Sequence, residues 1–194
     1  MERKIITWRR WAKALCPTMG PKQPMPTLQL NTDPAAMALR FESKQLRTIV
    51  SISPSVVAHF IEHRQEGKIK TEIGGQLFAK FSKNVVQVLT ATGPNNIDRH
   101  GWSWFRPNLR NQNSEIKQLF RNGLHFVGDW HTHPERTPSP SSWDLESMED
   151  CFKKSRHQLK AFLMIIVGRA EFPKGLWISL HNEKTWERLA PMEK

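Results

Sequence analysis

An α/β fold built on one mixed β-sheet is what this 194-residue sequence predicts. Two observations carry that prediction. Segments with strand-like alternation interleave with segments of helical period, the arrangement of a single layered α/β domain. The most apolar run, AFLMIIV from Ala161 to Val167, falls far short of the about 20 residues that a membrane-spanning helix needs, and reads as a buried strand.

The elements follow in chain order. The opening MERKIITWRRWAKALCP reads either as a basic amphipathic helix, with Ile5, Trp8, Trp11 and Leu15 on one side, or as a packed extension. Prolines 17, 21, 24, 26 and 34 exclude a long helix from Cys16 to Pro34. Residues 1–40 are therefore expected to form a basic, Pro-rich extension and residues 41–194 the folded domain, entered near Leu39. LRTIVSIS is a strand. Ser53-Pro54 then starts a helix, serine as N-cap and proline in the first turn, running to about Gln65 with Gly67 as its stop. GGQLFAKF and VVQVLTAT are strands separated by a turn at Ser82–Asn84. The polar and aromatic GPNNIDRHGWSWFRPN is a loop leading to a helix from Asn108 to Arg121. LHFVGDWH is a strand, Ser141 to Ser155 a helix, and LKAFLMIIVG and GLWISLHN are strands.

Bulk properties narrow the function less than the motifs do. The net charge of +11 suggests an acidic partner but is equally that of an ordinary basic protein. No nucleic-acid-binding motif accompanies it, so nucleic acid is not an expected partner. Cys16 and Cys151 lack a CxxC neighbour, which argues against a disulfide framework or a thiolate metal site. With no secretory signal visible and no membrane span, the expected location is cytoplasmic.

Two histidine pairs compete for attention. HFIEH, His59 to His63, matches H-x-x-E-H, a zinc-protease pattern on a helix. It sits on the helix after Ser53, whose buried face is expected to comprise Val56, Val57, Phe60 and Ile61, with the histidines flanking it. That makes it an amphipathic helix edge and not a metal site. His131 and His133 are two apart at a strand end, where both imidazoles point to one side. Ser141 and Asp144, three apart at a helix start, share a face. Two imidazoles and one carboxylate make a three-ligand zinc set with an open fourth position. Ser141-x-x-Asp144 is equally a capping box, which needs no metal.

HTHP followed by S-x-x-D, with Glu72 shortly before Gly74-Gly75 in TEIGGQLFAK, resembles the JAMM (MPN-plus) metalloprotease family across roughly residues 45–182. The resemblance implies a curved, cytidine-deaminase-like sheet flanked by helices. It also implies one zinc ion per chain on His131, His133 and Asp144, with catalytic Glu72 as general base and catalytic Ser141 as oxyanion donor. The related zinc deaminases combine H-x-E with P-C-x-x-C, and this chain lacks that combination. JAMM enzymes cut after the tails of ubiquitin-like proteins. Here Trp102, Trp104 and Phe105, with Arg99 and Arg106, are expected either to help hold such a tail or to anchor their own loop.

The stretch GDWHTHPERTPSPSSWD, preceded by SWFRPN and a helix, is similar to compact bacterial JAMM enzymes encoded beside E1/E2-like conjugation genes. Some of these belong to CBASS antiphage operons. The substrate that this similarity implies is the C-terminal tail of a conjugated cyclic-oligonucleotide synthase, a cGAS/DncV-like nucleotidyltransferase. A bacterial ubiquitin-like modifier or sulfur carrier is the alternative, and a metal-free MPN scaffold or basic nucleic-acid-binding module a more distant one.

Overall fold

Two short strands, Leu39–Ser43 (β1) and Thr48–Ile52 (β2), come first in this computed structural model, which describes residues 38–65, 71–95, 99–101, 104–106 and 109–192, the side chains of 99–111 excepted. Ser53 then caps α1 (Pro54–His63) by accepting from the Val56 amide at 3.4 Å, with proline in the first turn as expected. A long hairpin follows, β3 (Gly74–Ser82) and β4 (Val85–Ala91). The aromatic stretch after it is not plain loop. It contains a ribbon, β5 (Arg99–Gly101) paired with β6 (Trp104–Arg106), while the side chains of Arg99, Trp102, Trp104, Phe105 and Arg106 lie outside the described residues. The proposed stop at Gly67 and the N-terminal helix lie outside them as well. Then come α2 (Leu109–Arg121), β7 (His125–Thr132), α3 (Ser142–Lys154), β8 (Phe162–Val167), β9 (Leu176–His181), β10 (Trp186–Arg188) and β11 (Ala190–Pro191).

Nine strands form one sheet in the order β10-β9-β8-β7-β3-β4-β2-β1-β11. It is mixed: β2/β4 and β7/β8 are parallel, the other pairs antiparallel. The two edge strands are separated in the chain by Leu189 alone. A flat sheet of this width would hold its edges about 38 Å apart at the usual strand spacing, whereas two residue steps reach about 7 Å. The sheet must therefore curl until its edges meet. Leu189 seals the seam: its amide donates to the Ile178 carbonyl, and its side chain is buried among Phe41, Leu176 and Ile178 in the core.

That curl creates two apolar compartments. The inner one gathers Val50, Ile52, Leu77, Val88, Trp130, Leu163, Ile165 and Val167 against Val56 and Phe60 of α1. Ile61, expected on the buried face of α1, is 47% exposed. The helix is only ten residues long and turns Phe60 and its two histidines, not Ile61, toward Trp130. The outer compartment lies under α3, where Met148, Cys151 and Phe152 meet Phe162, Met164 and Ile166. The same strand β8 thus feeds both compartments, which is why all six of its residues are buried.

Candidate metal centre

Strand β7 supplies the first candidate ligand, and a bulge decides which way it points. The β3–β7 register slips between Leu77 and Phe78, so that Leu77 faces Gly128 and Phe78 faces Phe126, leaving Val127 as an extra residue. Phe126 packs into the outer compartment, Val127 and Trp130 into the inner one. Uninterrupted alternation from Phe126 would have sent Trp130 outward and His131 inward. The bulge inverts this phase and sets His131 beneath the start of α3.

Around His131 the backbone is held closely. It pairs with Gly74 on one side and Ile166 on the other. A Cβ on Gly74 would lie 2.3 Å from the Trp130 carbonyl oxygen, and one on Gly75 would lie 1.7 Å from that of Thr92. The two glycines thus serve close approach to the chain's own backbone. Thr132, fully buried, ties the segment before β3 to the end of β7: its amide donates to the Ile73 carbonyl at 2.8 Å and its Oγ1 accepts from the Ile73 amide at 3.1 Å. This clamp leaves the adjacent Glu72 beside the histidines, with Oε1 4.0 Å from His133 Nε2. His133 itself, just past the strand, donates its amide to the Val167 carbonyl at 3.0 Å.

Asp144 arrives from the opposite direction on α3, and here the capping box is real. The Ser141 hydroxyl accepts from the Asp144 amide at 3.2 Å, while the Ser141 amide and hydroxyl each donate to Asp144 Oδ2 at 2.7 Å. The same carboxylate faces both imidazoles. His131 Nε2 is 3.4 Å from Oδ1, His133 Nε2 is 3.5 Å from Oδ2, and the two Nε2 atoms are 3.2 Å apart. A tetrahedral zinc ion with bonds of about 2.0–2.1 Å holds neighbouring ligand atoms about 3.3–3.4 Å apart. The two nitrogens stand at nearly that separation, each faces one oxygen of the carboxylate at a similar one, and one ligand atom from each of the three residues lies within 4.8 Å of the other two. Among the described residues this is the group of three or more His, Cys, Asp or Glu side chains spaced to hold a metal.

Electrostatics agree with the geometry. Burial would raise the Asp144 carboxyl, but the two histidines and Ser141 outweigh it and hold it well below the usual carboxylate range. For His133, burial works against protonation and is overcome by Asp144, Glu72 and Glu135, so its pKa is raised. Burial raises the Glu72 carboxyl, partly opposed by His133 and His131. Three carboxylates around two imidazoles make a site that attracts a cation.

All five residues singled out by sequence are gathered at the end of β7 and the start of α3. His59 and His63 are not among them; they lie against Trp130, with ring centroids 5.1 and 6.0 Å from its ring. Three features escaped the sequence reading. Thr132 alternates away from the histidines, so nothing in the HTHP string marks it as a clamp. Glu135 contacts His133 from behind. Gln76 and Asp129, opposite one another on β3 and β7, are a polar pair one step below the site. The Gln76 amide and Asp129 Oδ1 are buried without a hydrogen-bond partner among the described residues, and burial pushes the Asp129 carboxyl up to about 7. Cys151 is buried, and burial together with Asp129 drives its thiol well above the usual range, away from reactivity.

The chain and its architecture have counterparts. The chain is 27% identical over 130 residues to the CD-NTase/cGAS isopeptidase of Enterobacter hormaechei, covering 66% of this chain and 72% of that protein. It is 29% identical to the CD-NTase/cGAS isopeptidases of Escherichia coli and Vibrio cholerae, covering 66% and 64% of this chain and 80% and 79% of theirs. The solution structure of a Desulfitobacterium hafniense protein shares the fold with a TM-score of 0.54 at 18% identity, covering 72% of this chain and 88% of that one. A family model described as prokaryotic homologs of the JAB domain matches residues 53–185, which take in all five candidate residues. The chain belongs to this family of prokaryotic JAB-domain homologs.

Proposed function

We propose that the protein is a zinc-dependent isopeptidase that releases a conjugated CD-NTase, a cGAS-like cyclic-oligonucleotide synthase, from its target lysines in antiphage defence. The observation that carries this reading is the convergence of His131, His133 and Asp144, whose ligand atoms lie within 4.8 Å of one another, with Glu72 on the Nε2 side of His133. The names of the similar proteins support the substrate. Residues 41–194 would form the catalytic domain and 1–40 an extension to it. The substrate presupposes an E1/E2-like conjugating enzyme to make the bond that this protein breaks.

When bound, zinc supplies a Lewis acid and makes a water molecule acidic near neutral pH. Glu72 takes the proton of the attacking water and passes it to the departing lysine amine. A carboxyl raised by burial suits both halves of that transfer. Ser141 now donates to Asp144 Oδ2; rotation about its Cβ–Oγ bond re-aims that hydrogen at the oxyanion of the tetrahedral intermediate. The amide C–N bond breaks, leaving a carboxylate on the tail and a free lysine. Asp144 stays ionised throughout, held by its histidine and serine partners.

The test is mass spectrometry of a synthase–target conjugate incubated with wild type, Glu72→Ala, and wild type plus chelator. Release of a synthase with an intact C-terminal carboxylate by untreated wild type alone is expected. Cleavage by Glu72→Ala would refute the mechanism. Inactivity of the zinc-loaded wild type on this conjugate would move the substrate to the tail of a ubiquitin-like modifier.

A further inference from the structure

His133 has two ring nitrogens, and the site uses only one. Its Nε2 faces Asp144, Glu72 and His131 Nε2. Its Nδ1, on the far side of the ring, lies 3.4 Å from Oε2 of Glu135. We infer that Glu135 is a positioning residue of the metal centre: its carboxylate accepts the Nδ1 proton of His133 and thereby fixes the tautomer whose Nε2 lone pair faces the metal. This inference rests on the zinc reading above and adds to it a residue outside the ligand set.

The argument is geometric. A neutral imidazole carries one proton and can present it at either nitrogen, so a ligating histidine needs something to hold that proton on the nitrogen away from the metal. A carboxylate behind the ring is the usual partner. Glu72 cannot serve, because it lies on the Nε2 side. Glu135 is placed for the task by backbone bonds that leave its side chain free. The Arg169 amide donates to the Glu135 carbonyl at 2.9 Å, and the next rung, Ala170 amide to Arg136 carbonyl, closes at 2.8 Å. With the His133 amide on the Val167 carbonyl, these bonds continue the β7–β8 pairing past Pro134 and anchor the loop on both sides of the histidine. Gly168 permits this close seating, since a Cβ there would lie 2.7 Å from the Glu135 carbonyl oxygen. The Glu135 side chain is 52% exposed, whereas His133 is 8% exposed. The carboxylate therefore reaches inward from the rim to a buried ring, and its removal leaves no hole in the core.

The test measures zinc affinity by competition with a chromophoric chelator for wild type, Glu135→Ala and Glu135→Gln, beside the melting temperature of each metal-free protein. Loss of such a partner typically weakens metal binding about 10–100-fold. Glu135→Ala should fall in that range with an unchanged metal-free melting temperature, and Glu135→Gln, whose amide oxygen still accepts, should retain most of the affinity. In the zinc-loaded wild type the His133 Nδ1 proton should be protected from solvent exchange, and in Glu135→Ala it should exchange rapidly. Wild-type affinity and protection in Glu135→Ala would overturn the role of Glu135 alone. A wild-type protein that binds no zinc would instead overturn the metal reading itself.

Discussion

Replacing Ser141 by alanine separates two roles that the same hydroxyl performs. As N-cap it accepts from the Asp144 amide at 3.2 Å and donates to Asp144 Oδ2 at 2.7 Å. Loss of such a cap costs about 1 kcal/mol. In a domain of this size that lowers the melting temperature by about 3 °C. The Ser141 backbone amide still donates to Asp144 Oδ2, so the ligand carboxylate keeps a support and zinc should remain bound. If the hydroxyl also turns to the oxyanion, kcat should fall about 10²–10³-fold, the usual cost of one oxyanion donor. The assay is steady-state cleavage of the conjugate with zinc saturating, beside thermal unfolding of the same preparations. Threonine, which keeps the hydroxyl, should restore much of both. A kcat within about twofold of wild type, together with the small loss in melting temperature, would reduce Ser141 to a helix cap and refute its catalytic role.

Two further outcomes follow from groups away from the chemistry. Buried His181, bonded to Ser179 Oγ at 2.8 Å, has its pKa pushed down from 6.5 to about 4 by burial. Its unfolded form gains a proton first, so it contributes no penalty above pH 6.5 and destabilises the fold progressively from there to pH 4, by about 3 kcal/mol in all. Denaturant titrations at several pH values should show a shallower acid slope for His181→Gln than for wild type; parallel slopes would contradict the burial argument. His59→Ala removes a ring stacked edge-on against Trp130. It should lower stability while leaving zinc stoichiometry at one per chain, measured by elemental analysis, and a loss of metal would mean that the H-x-x-E-H pair was wrongly set aside.

The parts of this fold that were legible in sequence are those where local chemistry and global position agree. Ser53-Pro54 and Ser141-x-x-Asp144 cap the helices they were expected to cap. The long apolar run is a strand between two compartments. That His131 and His133 share a side and that Asp144 opens a capped helix was legible from strand period and helix cap; which side the histidines take was not, because the bulge at Val127 sets it. Closure of the sheet was not legible. Strands β10 and β11 have two or three residues each and little pattern of their own. They form because Leu189 has a buried seat and because Glu187 accepts from Ser43 Oγ at 2.6 Å and from the Lys44 amide at 2.9 Å across more than 140 residues. Ile61 misled for a related reason: its spacing fits an apolar stripe, but a short helix facing a large tryptophan has room for fewer contacts than its sequence offers. The capping box and the ligand set looked like rival explanations of Asp144. They are compatible, because Oδ2 accepts from the Ser141 amide and hydroxyl and still faces His133, while Oδ1 faces His131.

The feature least visible in the sequence is the phase change at Val127–Gly128, on which the whole site depends. Gly128 has φ +147°, and a Cβ there would lie 1.8 Å from the Leu163 carbonyl oxygen of the parallel strand β8. Alanine must either force β7 away from β8 or undo the bulge. The first breaks the Gly128–Leu163 rung of the ladder that also carries His131–Ile166, and the second turns His131 inward and Trp130 out. Both routes are costly, about 3 kcal/mol or more, or roughly 6–12 °C in melting temperature. Gly123 provides the control: its φ is +75° but nothing lies within 4 Å of a Cβ, so alanine there should cost only the backbone strain, about 1 kcal/mol. Zinc affinity should fall with Gly128→Ala and hold with Gly123→Ala. Equal melting temperatures and equal zinc affinities in the two variants would mean that the bulge does not set the direction of His131, and that the helix cap at Asp144 suffices to assemble the centre.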